Sequence, residues 1–163
     1  MMPAIRSLKT KNWWLIVPMI LLFACSNNDI YLKYKTIPLQ GWNKDSICNF
    51  DIPVKDISTG YDLFINVRNR GEYPHQNLWL FIRQITPDSI VTNDTINFYL
   101  ADQRGKWLGS GIGSVYEMPV IYQRNYHFNK IGNYHFEIHQ GMRDSILVGI
   151  NEIGIRVEKV ANK

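Results

Sequence analysis

From Ile30 onward apolar residues return at every second position, the spacing of a strand that buries one face and leaves the other to water. Ile30, Leu32 and Tyr34 alternate with Tyr31, Lys33 and Lys35; Cys48, Phe50 and Ile52 alternate with Asn49 and Asp51. Tyr61, Leu63, Ile65 and Val67 repeat the pattern, as do Ile96, Phe98 and Leu100, then Tyr134, Phe136 and Ile138, and finally Ile153, Ile155 and Val157. The first-named residues of each set are expected to point inward. Leu78 to Ile82 is apolar at every position, which predicts a central strand or one covered from outside. No window in this region sustains a 3.6-residue stripe, and Met142–Gly149 offers at most one helical turn between the last two strands.

The interruptions carry turn chemistry. Gly41, Ser58-Thr59-Gly60, Asn69-Arg70-Gly71, Thr86-Pro87-Asp88-Ser89 and Ile131-Gly132-Asn133 each separate two alternating runs. Seven to nine short strands with such turns predict an all-β fold, an antiparallel sandwich of the immunoglobulin-like or jelly-roll-like kind over residues 30–163. In Phe128-x-x-x-Gly132-x-Tyr134 a glycine turn precedes a tyrosine at a strand start. That is where a tyrosine corner ties two sheets, and also where a plain inward tyrosine would sit.

The N-terminus is of another kind. Arg6, Lys9 and Lys11 form a basic start without acids, and an apolar run follows from Trp13 to Ala24. Twelve residues cannot cross a bilayer, which takes about 20, but they suit the core of a signal peptide. Leu22-Phe23-Ala24-Cys25 then reads as a lipobox, with Phe23 bulkier than usual at its place. We therefore expect a lipoprotein signal at residues 1–24, lipidation of Cys25, and a short tether over 25–29. The chain carries 18 basic and 14 acidic residues; without residues 1–24 the balance is 15 to 14. The basicity belongs to the targeting signal, so no electrostatic footprint for nucleic acid remains. With Cys25 acylated, Cys48 has no disulfide partner and is expected in the core.

Little in the mature region points to chemistry. His135, Glu137 and His139 share one strand face, but Tyr134, Phe136 and Ile138 claim the inward one, so the trio is read as a solvated face and not as metal ligands. Gly109-Ser110-Gly111-Ile112-Gly113 lacks the G-x-G-x-x-G spacing and the following helix that a phosphate cradle needs, and is read as a flattened strand or loop without cofactor. No G-x-S-x-G elbow accompanies the four histidines, so no catalytic residue is assigned. An envelope hydrolase would need carboxylates or a histidine to meet a nucleophile in space. Arg104 and Trp107, in a Gly-bounded segment, are residue types that anchor interfaces and are the candidate partner contact. Trp107 is equally placed to plug the end of the sandwich. The Arg68–Pro74 segment is either a second contact or a solvated loop.

Three stretches together resemble a known family. They are Tyr61-x-Leu63-x-Ile65-x-Val67-Arg68-Asn69 with Tyr73-Pro74-x-x-Asn77-Leu78-x-Leu80; Asp94-Thr95 with Leu100-Ala101 and Gly105-x-Trp107-Leu108-Gly109-x-Gly111; and Gly132-x-Tyr134-x-Phe136-x-Ile138-x-Gln140-x-Met142-Arg143 with Gly154-Ile155-Arg156-Val157-Glu158. In order and spacing they are similar to the gliding motility lipoprotein GldH family of Bacteroidetes. The resemblance implies a non-enzymatic lipid-anchored envelope protein, held in the membrane through Cys25, whose partners are gliding and secretion proteins. Ser26 is compatible with outer-membrane sorting, and the expected address is the outer membrane, facing the periplasm. A carbohydrate-binding envelope module is the alternative, and it requires Trp42, Trp79 or Trp107 to lie exposed in a row or groove.

Overall fold

The computed structural model describes residues 29–160, and within them every regular element is a strand. The expected signal peptide and Cys25 lie outside the described residues. β1 (Asp29–Thr36) starts at the last residue of the expected tether and is followed by β2 (Trp42–Asn43), β3 (Cys48–Val54), β4 (Tyr61–Arg70) and β5 (Asn77–Ile85). Then come β6 (Val91–Tyr99), β7 (Ser110–Ile112), β8 (Val115–Tyr126), β9 (Gly132–Gln140), β10 (Ile146–Leu147) and β11 (Ile150–Lys159).

Two antiparallel sheets form the layers of a sandwich. One has the order β1-β11-β4-β8-β7, the other β3-β9-β5-β6, and β10 pairs with β2 outside both. The alternating runs supply the facing surfaces: Leu63, Ile65 and Val67 of β4 stand opposite Val157, Ile155 and Ile153 of β11, and all are buried. In the other sheet Phe50, Ile52, Leu78, Leu80, Ile82, Tyr134, Phe136 and Ile138 are buried in the same way. Burial of such side chains is worth about 1.5–3 kcal/mol each, and among the described residues no disulfide assists. Cys48 is free and buried, and burial pushes its thiol up to about 11. It stays protonated at neutral pH and packs as a small hydrophobe.

At one end Phe128 lies among Tyr61, Tyr126 and Tyr134, with ring centroids 5.3, 4.9 and 4.7 Å away. The Tyr134 hydroxyl donates to the Lys130 carbonyl and accepts from the Lys130 N–H, both at 3.1 Å. Of the two readings of this tyrosine, the corner is the one the structure supports.

Two expectations are corrected. In β1 the buried residue is Tyr31, whereas Ile30 and Leu32 are exposed. The register shifts between Asp29 and Tyr31, which sets Tyr31, Lys33 and Lys35 opposite Val157, Ile155 and Ile153 on the inner side. Lysines pointing inward on an edge strand discourage further pairing, and that use inverts the phase that hydrophobicity alone suggests. The helical turn over Met142–Gly149 does not form either. The buried Gln140 side chain accepts from the Met142 N–H at 2.8 Å and donates to the Asp144 carbonyl at 2.7 Å, and Ile146 and Leu147 pair with Asn43 and Trp42.

Candidate functional site

The outer face of the four-stranded sheet carries the most exposed aromatic surface near polar groups. Because β5 alternates, Leu78, Leu80 and Ile82 go to the core, and Trp79 and Phe81 go outward, 41% and 49% exposed. Tyr99 of β6, 58% exposed, joins them: it stands opposite Asn77, diagonal to Trp79. Strand geometry spaces same-face neighbours by about 7 Å, so the three rings form an oblique strip. Gly141 leaves room beside it; a Cβ there would stand 3.1 Å from the Trp79 Cβ and 3.2 Å from a Phe81 ring carbon.

The strip is bordered by amide, hydroxyl and imidazole groups. Asn97 and Thr95 of β6 lie opposite Trp79 and Phe81, and His139 of β9 flanks Phe81 on the other side. Two side chains near it hold partners: Arg83 bonds Glu137 at 3.0 Å, and His135 Nδ1 lies 2.7 Å from Asp51 Oδ1. His135, Glu137 and His139 thus do face outward as expected, and two of the three already hold side-chain partners. A groove of about 650 Å³ runs past Phe81, Thr95, His139 and Lys44. A smaller one of about 330 Å³ lies by Trp79, His75, Asp144 and Arg143. His75 Nε2 and Asp144 Oδ2 are 2.7 Å apart there, a base-and-acid pair, but no serine, threonine or cysteine lines that groove among the described residues.

Arg104 and Trp107, expected as one contact, differ in exposure. Asp102 accepts from the Arg104 and Lys106 N–H groups at 2.8 and 2.9 Å, and Gly105 takes a positive φ of 77° that favours glycine. The tight loop so formed leaves Arg104 exposed at its tip. Trp107 turns inward, half-buried between Tyr73 at 6.3 Å and Tyr116 at 5.9 Å, where it plugs the end of the sandwich. Of the segment Arg68–Pro74, Arg68 to Arg70 belong to β4 and Tyr73 is buried, its hydroxyl donating to the Asn77 carbonyl at 2.9 Å. Trp42 is buried too. Trp79 alone of the three tryptophans named for sugar binding lies open; Phe81 and Tyr99 share its face without being named from the sequence, where alternation within Leu78–Ile82 sets Trp79 and Phe81 on one side.

Across the other sheet the outer face is built differently. The Tyr34 hydroxyl donates to Glu117 at 2.6 Å and accepts from Asn66 at 2.8 Å. Arg68 bonds Glu117 at 2.9 Å and Glu152 at 2.6 Å. Burial would raise the Glu117 carboxyl, but the hydrogen bonds from Tyr34 and Arg68 bring it below its ordinary value. Four strands are laced together by this network, and its polar groups are largely used by one another. The glycine run before it serves a hairpin: a Cβ on Gly111 would lie 1.9 Å from the Val115 carbonyl oxygen, and Gly113 has φ 72° in the β7–β8 turn.

A protein-family model described as GldH lipoprotein matches residues 29–157. The gliding motility lipoprotein GldH homolog of Christiangramia forsetii is 37% identical over 154 residues, covering 90% of this chain and 94% of the relative. The gliding motility lipoprotein GldH of Flavobacterium johnsoniae is 33% identical over 152 residues, covering 89% and 94%. Among solved structures, the infectious bursal disease virus VP2 subviral particle matches 80% of this chain and 30% of its own at 16% identity and a TM-score of 0.30, too slight a likeness to argue from.

Proposed function

This chain belongs to the GldH lipoprotein family, and from that premise we propose that it is a non-catalytic, lipid-anchored docking component of gliding and its associated secretion machinery. The observation that carries the reading is the match along nearly the full length of two relatives that are both named for gliding motility. Cys25 would hold the lipid. Two or more acyl chains give stable anchoring at about 0.8 kcal/mol per buried methylene, where one chain is marginal. Between Cys25 and Asp29 an extended backbone reaches about 14 Å at about 3.5 Å per residue, so the sandwich would stay close to the bilayer, on the periplasmic side of the outer membrane. From there it acts by presenting surfaces. Replacing Cys25 by Ala in the native host tests this: the domain should move from the membrane to the soluble fraction and gliding should fail. Full membrane retention with normal gliding would overturn it.

A second reading is favoured by one observation, the exposed Tyr99–Trp79–Phe81 strip with amide, hydroxyl and imidazole groups at its border. Aromatic faces flanked by hydrogen-bonding groups suit the apolar faces and hydroxyl rims of a sugar chain. On this reading the module holds an envelope polysaccharide. Affinity electrophoresis through purified host polysaccharide should retard the domain, and Trp79→Ala with Phe81→Ala should abolish the retardation; equal mobility with and without polysaccharide would remove the reading.

A further inference from the structure

Among the described residues β6 is paired on one side only. Its ladder with β5 runs without a break from Asn77 opposite Tyr99 to Ile85 opposite Val91. The ends of that ladder tell which peptide groups are free. At one end the Leu100 N–H donates to the Gln76 carbonyl at 2.8 Å, and at the other the Thr86 N–H donates to the Ile90 carbonyl at 2.9 Å. Residues along an antiparallel pair alternate in the direction of their peptide groups, so even-numbered residues of β6 turn theirs to β5. Those of Val91, Asn93, Thr95, Asn97 and Tyr99 point away. Thr95 agrees with this: its N–H has taken the neighbouring Asp94 carboxylate at 2.7 Å.

Edges of this kind are usually guarded, and the others in this molecule are. β1 carries the inward lysines and a register shift. β3 contains Pro53, and β7 is three residues long. β8 extends past β7, but it holds Pro119 and two register shifts against β4. β6 reads Val-Thr-Asn-Asp-Thr-Ile-Asn-Phe-Tyr, with no proline, glycine, lysine or bulge; its one guard is Asp94, a single inward charge opposite the buried Ile82 and beside Tyr122 of β8.

We propose that β6 accepts an extended segment of a partner polypeptide as an added strand. The proposal rests on the docking reading and names how one partner is held. Peptide groups of the odd-numbered residues would bond the incoming backbone, the mode of recognition known as strand addition. Side chains fix the partner's chemistry. On the inner side the new strand would cover the half-buried Ile96 and Phe98 and approach Met118 and Tyr122 of β8, so alternate residues are apolar. On the outer side it would run beside Thr95, Asn97 and Tyr99, so the others are polar. Asp94 must release the Thr95 N–H; it stands on the inner side with Ile96 and Phe98, so its carboxylate suits one lysine or arginine among the partner's otherwise apolar inward residues. A second copy of this chain fits less well. Antiparallel pairing centred on Thr95 would set the two Asp94 carboxylates diagonal to each other, and it would turn the two Asp29 ends toward opposite ends of the joint sheet, against anchoring in one bilayer.

The full lipidated protein, alone in detergent and in the complex extracted from host envelopes, provides the test. Hydrogen exchange resolved to single amides should show Asn93, Asn97 and Tyr99 exchanging fast alone and slowed about tenfold or more in the complex. Thr95→Pro and Asn97→Pro each remove one outward N–H without touching the β5 ladder; either should keep its melting temperature and membrane attachment and lose the complex. Unchanged exchange in the complex, or survival of the complex in both folded proline variants, overturns strand addition and leaves the docking reading intact. Slowing that arises in the purified protein with rising concentration assigns the edge to a second copy and overturns the partner. Full membrane retention with normal gliding in the Cys25→Ala strain fells the docking reading itself.

Discussion

The Arg68 guanidinium lies 4.1 Å from the centre of the Tyr34 ring, and both side chains bond the same carboxylate, Glu117. Tyr34 comes from the edge strand β1 and Arg68 from the central β4, so one aromatic ring fastens the edge across the intervening β11. Gly154 of β11 makes this possible, since a Cβ there would meet the Tyr34 ring at 2.7 Å and the Lys33 carbonyl at 2.9 Å.

Tyr34→Phe keeps the ring and removes the hydroxyl. The Asn66 amide, in a residue only 3% exposed, then loses its acceptor, and an unmade buried hydrogen bond costs about 1–3 kcal/mol. Chemical denaturation should show a loss in that range. Gly154→Ala should cost about as much through overpacking, about 1–3 kcal/mol, and should do so less in a Tyr34→Ala background. Additive losses in the double variant would mean that the ring and the glycine do not share the site.

Acid should loosen the same network. The Glu117 carboxyl sits below its ordinary value when folded, against about 4.3 unfolded. Its contribution is therefore complete above the unfolded value and disappears as the pH falls through the folded one. Glu158, raised first by burial and then by Asp29 and Asp62, has the opposite sign and favours the fold on acidification. Glu117→Gln isolates the first effect. The gap in melting temperature between parent and variant should be full well above about pH 4.3 and shrink as the pH falls below it; a gap that stays constant on acidification would disprove the assignment.

Tyr134 gives a cleaner case, because it has a single backbone partner. Removing its hydroxyl in Tyr134→Phe leaves the buried end of the Lys130–Tyr134 turn without its tie, at a cost of about 1–3 kcal/mol. Equilibrium unfolding measures it, and a change near zero would return this residue to the status of ordinary core.

The sandwich was legible because its central strands obey a local rule. Leu63, Ile65 and Val67 sit at alternate positions with one layer to face, so burial and periodicity coincide. β1 escaped that rule because an edge strand has a neighbouring sheet over only part of its inner side: Tyr31 is covered, and the space beside it is wet enough for Lys33 and Lys35. Two-residue pairs such as β2 with β10 are too short to show any period. The Tyr34, Arg68, Glu117 and Glu152 network joins residues up to 84 positions apart, a relationship that leaves no local trace. The aromatic strip was half visible. Alternation in Leu78–Ile82 sets Trp79 and Phe81 on one face, and only the sheet order shows that this face has no covering layer among the described residues.

That outer strip is predicted to separate stability from function within three consecutive residues. Leu80 is fully buried, and its truncation to Ala should cost about 2–5 kcal/mol. Trp79→Ala and Phe81→Ala, on the open side, should leave the unfolding midpoint nearly unchanged. Trp79 also reports on what it touches. Of the tryptophans in the described residues, Trp42 is buried, Trp107 half-buried and Trp79 exposed, so Trp79 should supply the emission that a neutral quencher such as acrylamide reaches first. Its loss in Trp79→Ala should remove that component. Anything that docks on this face, polypeptide or polysaccharide, must shield it. A ligand that binds without slowing the quenching of Trp79 occupies some other surface, and strand addition at β6, whose contacts run along the edge beside the strip, should slow it only in part.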